Sequence, residues 1–299
     1  MNAERVVHVA VVSRDPVMRM EAARAFDAAP PAWHVTMHEE PPPTADVTVV
    51  TPEVEHAGAV VFDPERPEEV LAAVSAATSA PGRVIVVTSP SRGTGVTSVA
   101  LHLAALARRA GPACFVDLDI TWSAADRLGL PGDARTWSDA GESLASVEQS
   151  ALPVAPGLRV LLAPRGRGAA DRSRVAARAA GAFERVVVDA PTGDYLRPVL
   201  EDAYCCVLVV PPTIPSARRA HEFLDSHRGL RWAVVVNRLG PGGGVTRAGL
   251  QRVIGCRIAV ELPCSPALRD REDEAGLLTT PWSRWARALR LLYTALENT

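Results

Sequence analysis

From residue 83 onward the chain repeats one pattern, in which a short run of β-branched apolar residues is followed by a stretch with helical spacing. Buried strands that alternate with helices form a parallel sheet, because each helix carries the chain back across one face of the sheet. This part of the chain is therefore predicted to fold as a doubly wound, mostly parallel α/β sheet. The predicted strands are Arg83–Thr88, Ala113–Leu118, Leu158–Ala163, Arg185–Asp189, Cys205–Val210, Trp232–Asn237 and, more weakly, Arg257–Leu262.

A shorter segment with the same alternation precedes this sheet and predicts a small parallel sheet of its own. A linker that contains Pro and Gly, at residues 79–82, then marks a boundary. We therefore predict two α/β domains, at residues 1–78 and 83–299. The predicted elements of the first are strands Val6–Val12, Trp33–Met37, Val47–Val50 and Ala59–Phe62, and helices Pro16–Ala29 and Pro67–Ala77.

Composition excludes several partners and chemistries. All 32 basic residues are arginine, so no mechanism that needs a lysine is available. A net charge of −2 provides no field that attracts nucleic acid, and we expect no nucleic-acid partner. No apolar stretch reaches the ~20 residues of a membrane-spanning helix, and residues 1–12 lack the features of a signal peptide. The expected compartment is the cytoplasm.

The first strand of the larger domain runs directly into a loop that contains Gly93 and Gly95, and a helix predicted at Val99–Arg109 follows. Strand, glycine loop and helix in this order are the context that a phosphate-binding loop requires. The glycines let the backbone N–H groups turn inward, and the helix N-terminus adds a partial positive charge. The residues predicted to bind a nucleotide here are Arg92, Gly93, Thr94, Gly95, Val96, Thr97 and Ser98.

The loop departs from this pattern at one position. The lysine expected immediately after Gly95 is Val96, whose side chain cannot neutralise phosphate charge. Arg92 is the nearest cation in the sequence. The hydroxyl of Thr97 or Ser98 remains available to ligate Mg²⁺, and we assign the metal to Thr97.

Four motifs at predicted strand ends, together with the loop, resemble the MinD/ParA family of P-loop NTPases over residues 83–280. The motifs are Phe115–Asp119, Val186–Pro191, Val234–Arg238 and Leu262–Pro263. The resemblance implies ATP and Mg²⁺ as cofactors. In it, Asp119 is the catalytic residue that organises Mg²⁺ and the attacking water, and Asp189 holds a metal-bound water. Asn237 and Arg238 bind the adenine edge, and Pro263 lies in the loop that closes over the base.

Within this family the chain most resembles the CpaE/TadZ branch. The segment Gly157–Pro164 is similar to a strand of that branch, whose members often carry a small residue in place of the loop lysine. The first domain resembles a shortened, degenerate receiver (CheY-like) domain. Thr51 stands where a receiver has its phosphorylated aspartate, so we expect no phosphate transfer, and Asp15 is expected to cap a helix. The same combination is typical of actinobacterial septum-site-determining-like proteins.

The resemblance implies an ATP-binding or pseudo-ATPase regulator that places septum or pilus-assembly machinery. Such a regulator would form a homodimer across its nucleotide face and recruit a polar, septal or pilus-assembly protein, which would bring it to a pole or septum. Two alternatives stay open: a slow Mg-dependent ATPase that uses an arginine in place of the lysine, and a scaffold that binds no nucleotide. The loop also resembles that of bacterial tyrosine kinases, but the lysine and a C-terminal tyrosine cluster are missing.

Two further features concern contacts. Arg165 and Arg167 follow a predicted strand end and are expected to be solvated, with phosphate or partner contact as the alternative. The last helix carries an apolar stripe that predicts docking against the sheet, with peripheral membrane contact as the alternative. The stripe consists of Trp282, Trp285, Leu289, Leu292 and Leu296.

Overall fold

The computed structural model of the chain describes residues 7–30, 33–42, 45, 47–56, 59–78, 83–121, 124–140, 144–164, 172–193, 195–240, 245–273 and 283–297. Within it the chain forms two compact units. The first spans Met1–Ala80, and the second takes almost all of the chain from Pro81 to Thr299. The linker at residues 79–82, Arg165, Arg167 and Trp282 lie outside the described residues.

The smaller unit is a four-stranded parallel sheet with strand order β2-β1-β3-β4. Its four strands and two helices confirm the predicted ones, with ends that differ by at most three residues. Asp15 caps the first helix as predicted, because its Oδ1 accepts the N–H of Val17 at 2.8 Å. The elements are β1 (Val7–Val12), α1 (Pro16–Phe26), β2 (Trp33–His38), β3 (Val47–Val50), β4 (Val60–Val61) and α2 (Pro67–Thr78).

The larger unit contains an eight-stranded sheet with strand order β12-β11-β10-β5-β9-β6-β8-β7. Seven strands are parallel and confirm the seven predicted from the sequence, while β7 is an additional antiparallel strand at one edge. The strands are β5 (Arg83–Thr88), β6 (Ala113–Asp117), β7 (Leu152–Ala155), β8 (Leu158–Leu161), β9 (Arg185–Asp189), β10 (Cys205–Val210), β11 (Trp232–Leu239) and β12 (Ile258–Pro263).

Helices cover both faces of this sheet, as expected for a doubly wound fold. They are α3 (Val96–Ala107), α4 (Leu144–Ser150), α5 (Arg172–Ala182), α6 (Leu196–Glu201), α7 (Ile214–Ser226), α8 (Arg247–Ile254), α9 (Pro266–Asp273) and α10 (Arg284–Glu297), with short 3₁₀ helices at Asp126–Leu128 and Trp137–Asp139. Side chains alternate along β5, so that Ile85 and Val87 pack with α3 and α10, while Val84 and Val86 pack with α5 and α6.

The order of the strands fixes where a ligand can bind. Strands β6 to β9 lie on one side of β5, and β10 to β12 lie on the other. In open α/β sheets a crevice forms where the strand order reverses, at the carboxyl ends of the strands. The loops after β5, β6, β9, β11 and β12 all leave the sheet at this end.

The C-terminal helix docks on the sheet, which confirms the predicted use of its apolar stripe. Trp285, Leu289, Leu292 and Leu296 are buried in the core that α10 shares with α3. The same side chains are therefore not exposed for contact with a membrane. In the part of the chain that the structure describes, no helix has the length and apolar character needed to span a bilayer.

Candidate functional site

The loop between β5 and α3 is built around two glycines in left-handed conformation, Gly93 with φ 69° and Gly95 with φ 92°. Gly95 is the N-cap of α3, and a side chain there would collide with the amide of Asn237. The helix begins at Val96, three residues before the predicted Val99. Thr97 and Ser98 therefore lie in its first turn, where backbone N–H groups have no partner within the helix.

Asn237 joins the end of β11 to this loop. Its Nδ2 donates a hydrogen bond to the carbonyl oxygen of Thr94 at 2.8 Å, and the residue is only 5% exposed. Arg238 follows with φ 67°, at a shift in register between β11 and β12. A non-glycine residue with positive φ is uncommon, and strained backbone of this kind clusters at functional sites.

Two aspartates lie side by side at the carboxyl ends of β6 and β9, because Asp117 and Asp189 are paired in register. Asp117 is fully buried, and its carboxylate accepts the backbone N–H groups of Asp119 at 2.9 Å and Ala124 at 2.7 Å. Burial, with a further contribution from the charge of Asp189, raises the pKa of Asp117 well above its usual value. Asp117 therefore shapes the loop after β6, a role not assigned to it from the sequence.

Asp189 is the carboxylate best suited to hold a ligand. Burial raises its pKa to about 7. A hydrogen bond from Thr97 and the charge of Arg127 oppose this shift, whereas the charge of Asp119 adds to it. Among the residues that the structure describes, Asp189 Oδ2 is buried without a hydrogen-bond partner. A buried carboxylate oxygen of this kind fits a metal-bound water.

A magnesium ion at this place would need more than protein ligands. Within the described ranges, no three His, Cys, Asp or Glu side chains form a group that could hold a metal by themselves. Mg²⁺ is commonly bound by one or two carboxylates together with substrate phosphates and waters. Thr97 and Asp189 fit this arrangement. Asp119 lies in the loop beside them, where its Oδ1 accepts the N–H of Thr121 at 2.8 Å.

A cavity of about 610 Å³ opens beside the loop, at the carboxyl ends of the strands. Its wall also includes Trp285, so that α10 contributes to the site. A cavity of about 700 Å³ lies at the opposite end of the sheet, against the starts of β6 and β8. The first cavity is the candidate site because ligands of open α/β sheets bind at the carboxyl ends. Other residues in its wall are Gly95, Ser98, Arg127, Asn237, Arg238 and Pro263.

The structure thus brings most of the predicted residues together in two adjoining groups. Gly95, Ser98, Asn237, Arg238 and Pro263 share the cavity wall. The second group consists of Thr97, Asp119 and Asp189, which interact with one another through a hydrogen bond and through charge. Arg92 and Gly93 are exposed and do not line the cavity.

Arg127 lines the candidate site and was not predicted from the sequence. It lies in the 3₁₀ helix Asp126–Leu128, and its Nη1 donates a hydrogen bond to Ser98 Oγ at 3.2 Å. The only sequence signal is its place in the loop that follows the acidic motif. No residue pattern around it indicates that this loop folds back towards the start of α3.

No family model matches this sequence, and no curated protein matches it. Solved structures do. A ParA family ATPase from Chlorobium tepidum TLS is similar with a TM-score of 0.62 and 19% identity, over 71% of this chain and 98% of that one. MinD in a MinC:MinD cell division protein complex of Aquifex aeolicus gives 0.61 and 19%, over 73% and 96%. The septum site-determining protein MinD with Mg-ADP from Pyrococcus horikoshii OT3 gives 0.57 and 19%, over 72% and 96%. The chain therefore has the fold of the MinD/ParA-type P-loop ATPases.

Proposed function

We propose that this protein is a MinD/ParA-type regulator that binds Mg·ATP weakly and hydrolyses it at or near the background rate. One observation supports this most strongly. The phosphate loop, the cavity and the unpartnered oxygen of Asp189 adjoin each other, while the first residue of α3 is Val96 instead of a lysine. The Mg-ADP bound to MinD from Pyrococcus horikoshii agrees with this choice of ligand.

Different residues of this chain would bind the phosphates, the Mg²⁺ and the adenine. Backbone N–H groups of the loop and of the first turn of α3 bind phosphate oxygens, and the helix dipole adds to their attraction. Thr97 and Asp189 would hold Mg²⁺, the latter through a water. The adenine would enter the cavity beside Asn237 and Pro263. These contacts need no lysine, so binding survives its loss.

Turnover depends more strongly on the missing charge. Bound ATP would supply the phosphoryl group, and Asp119 would orient a water towards it. Phosphoryl transfer is catalysed mainly by positioning and by neutralising charge that develops on the phosphate oxygens. Val96 offers no charge for this purpose, so we expect the chemical step to be slow even where the nucleotide is bound.

Two other functions use the same site differently. In the first, an arginine of this chain or of a partner replaces the lysine, and the protein is a slow Mg-dependent ATPase. In the second, the protein is an interaction scaffold whose cavity holds no nucleotide. The buried, unpartnered oxygen of Asp189 favours a ligand over the scaffold.

The partners follow from the proposed regulator role. A second copy would cover the nucleotide face to give a homodimer, and the smaller unit would recruit a polar, septal or pilus-assembly protein. The MinC:MinD complex is a precedent among proteins of this fold for a partner protein. We place the chain in the CpaE/TadZ branch and expect it in the cytoplasm, moved to a pole or septum by its partner.

Magnesium dependence tests the proposed site. Asp119→Ala and Asp189→Ala should weaken binding of Mg·ATP far more than binding of metal-free ATP, as measured by calorimetric titration. Asp225→Ala is a matched control, because this exposed aspartate pairs with Arg228 away from the cavity. Equal losses with and without Mg²⁺ would mean that the two carboxylates only support the fold.

A further inference from the structure

The 3₁₀ helix Asp126–Leu128 brings an arginine to the start of α3. Arg127 Nη1 donates to Ser98 Oγ at 3.2 Å, and both residues line the cavity that Gly95 also borders. Ser98 is the third residue of α3. The guanidinium therefore lies within one turn of the helix N-terminus, where backbone N–H groups attract anions.

The backbone around Arg127 holds it in this position. The buried carboxylate of Asp117 accepts the N–H of Ala124, which fixes the loop just before the 3₁₀ helix. Leu128 N–H then bonds to the carbonyls of Ala124 and Ala125, at 3.2 and 3.1 Å, and its side chain packs against the core. These contacts hold the turn that carries Arg127 in place at the edge of the cavity.

The charge of Arg127 already acts within the site, since it lowers the pKa of Asp189 against the effect of burial. A guanidinium carries five N–H donors in a planar fork, a geometry that matches phosphate oxygens. Arg92, the cation nearest to the loop in sequence, is exposed and lies outside the cavity wall. Two arginines, Arg127 and Arg238, line the cavity, and Arg127 is the one hydrogen-bonded to a residue in the first turn of α3. With valine at position 96 and no lysine in the chain, we take Arg127 as the cation that meets an anionic ligand there.

We propose that Arg127 is a phosphate-binding residue, whose guanidinium contacts the phosphates of the bound nucleotide and supplies part of the charge that Val96 lacks. This inference rests on the proposed nucleotide binding at the same cavity. Its partner is Ser98, and its cavity also contains Asn237 and Pro263. The contact therefore falls on the phosphates near the nucleoside, where it strengthens binding without assisting transfer of the terminal phosphate.

Calorimetric titration of the full-length chain with Mg·ATP, Mg·ADP and adenosine tests this role. We expect Arg127→Ala to weaken ATP and ADP binding by about ten- to a hundredfold and to leave adenosine binding unchanged. Arg127→Lys should retain part of the affinity. Arg228→Ala removes the same charge from a side chain that is 79% exposed at the end of α7, and it should have no effect.

The outcomes separate this inference from the proposed function. If the unmodified protein binds ATP and Arg127→Ala binds it equally well, the inference is wrong while nucleotide binding stands. An equal loss for adenosine would show that Arg127 only supports the loop, and this also overturns the inference. Where adenosine binding is below detection, partial rescue by Arg127→Lys decides between the two. If the unmodified protein binds none of the three ligands, the proposed function itself is wrong.

Discussion

Val96 is the first residue of α3, and its side chain packs partly against the core beneath the helix. In an active P-loop a lysine at this position would reach towards the β- and γ-phosphates. Valine leaves about one charge uncompensated in a partly desolvated site, while the backbone N–H groups and the helix dipole remain. The missing charge should therefore weaken nucleotide binding less than it slows hydrolysis.

Installing the lysine tests this directly. Val96→Lys should raise the affinity for Mg·ATP by about tenfold or more, because it restores a charge-assisted contact to phosphate. If Asp119 is correctly placed, the variant should also release phosphate measurably faster than the unmodified protein. Val96→Met controls for side-chain length without charge. A lysine variant with neither tighter binding nor faster turnover would mean that the site is blocked by packing.

The buried carboxylate of Asp189 should lower the free energy of unfolding of the nucleotide-free protein. Its pKa of about 7 lies above the ordinary 3.8, so the folded state holds a proton that the unfolded state has lost. Stability therefore falls as pH rises from about 4 to about 7, and the whole penalty is present above that. We expect Asp189→Asn to raise the free energy of unfolding at pH 8 by about 1–3 kcal/mol, and by less at pH 5. Denaturant unfolding at the two pH values measures this, and no gain at pH 8 would contradict it.

At the scale of elements, α10 offers a matched pair of leucines. Leu289 is 1% exposed within the core, whereas Leu291 is 64% exposed on the same helix. Leu289→Ala should lower the free energy of unfolding by about 2–5 kcal/mol, as expected for a buried leucine. Leu291→Ala should change it by less than about 0.5 kcal/mol. Similar small effects for both would mean that the stripe of α10 does not dock on the sheet.

In the smaller unit, Ser13 and Thr51 follow the ends of β1 and β3 and hydrogen-bond to the same carboxylate. The resemblance stated from the sequence would align Thr51 with the phosphorylated aspartate of a receiver. The carboxylate of Glu53 accepts the hydroxyls of Ser13, at 2.7 Å, and of Thr51. Both hydrogen bonds lower the pKa of Glu53, the one from Thr51 more than the one from Ser13, and the resulting pKa is about 2. Glu53 thus remains charged at neutral pH, next to two buried hydroxyl residues.

This arrangement predicts that the unit is not phosphorylated. Thr51 has no carboxylate to accept a phosphoryl group, and the charge of Glu53 beside it repels an anionic donor. Incubation of the full chain with acetyl phosphate should leave its mass unchanged. A stable phosphoryl adduct mapped by mass spectrometry to Asp15 would refute the prediction.

The strands could be predicted from the sequence because a buried parallel strand is a continuous apolar run, such as Cys205–Val210. The edge strand β7 could not be predicted in this way. It has four residues, one of them Pro153, and it pairs antiparallel through a tight turn at Gly157. Such a segment has the composition of a loop, and only its neighbour β8 makes it a strand.

The candidate site could be predicted wherever a residue lies at the end of a strand or in the glycine loop. Gly95, Asp189 and Asn237 belong to this class, because parallel strands end at the same edge of the sheet. Arg127 and the loop-shaping role of Asp117 depend instead on the path of an irregular segment. That path is set by tertiary hydrogen bonds such as Asp117 with Ala124, which no local pattern encodes.

At the scale of the whole molecule, we propose that a MinD/ParA-type fold retains a nucleotide site without the loop lysine. Solved structures of this fold match 71–73% of the chain over nearly their full length. The chain itself has the strands and the glycine loop that border the cavity. What the fold supplies without side-chain charge is the loop backbone, the helix dipole and the crevice at the strand ends. A retained site would bind Mg·ATP measurably.

Calorimetric titration of the intact chain with Mg·ATP measures this most directly. We expect saturable binding of one nucleotide per chain, with a dissociation constant between about 10 μM and 1 mM. The contacts that remain are expected to hold the ligand, but more weakly than a site with its lysine. No binding heat at millimolar Mg·ATP, with the protein shown to be folded by circular dichroism, would contradict the proposed nucleotide binding and leave the scaffold as the function.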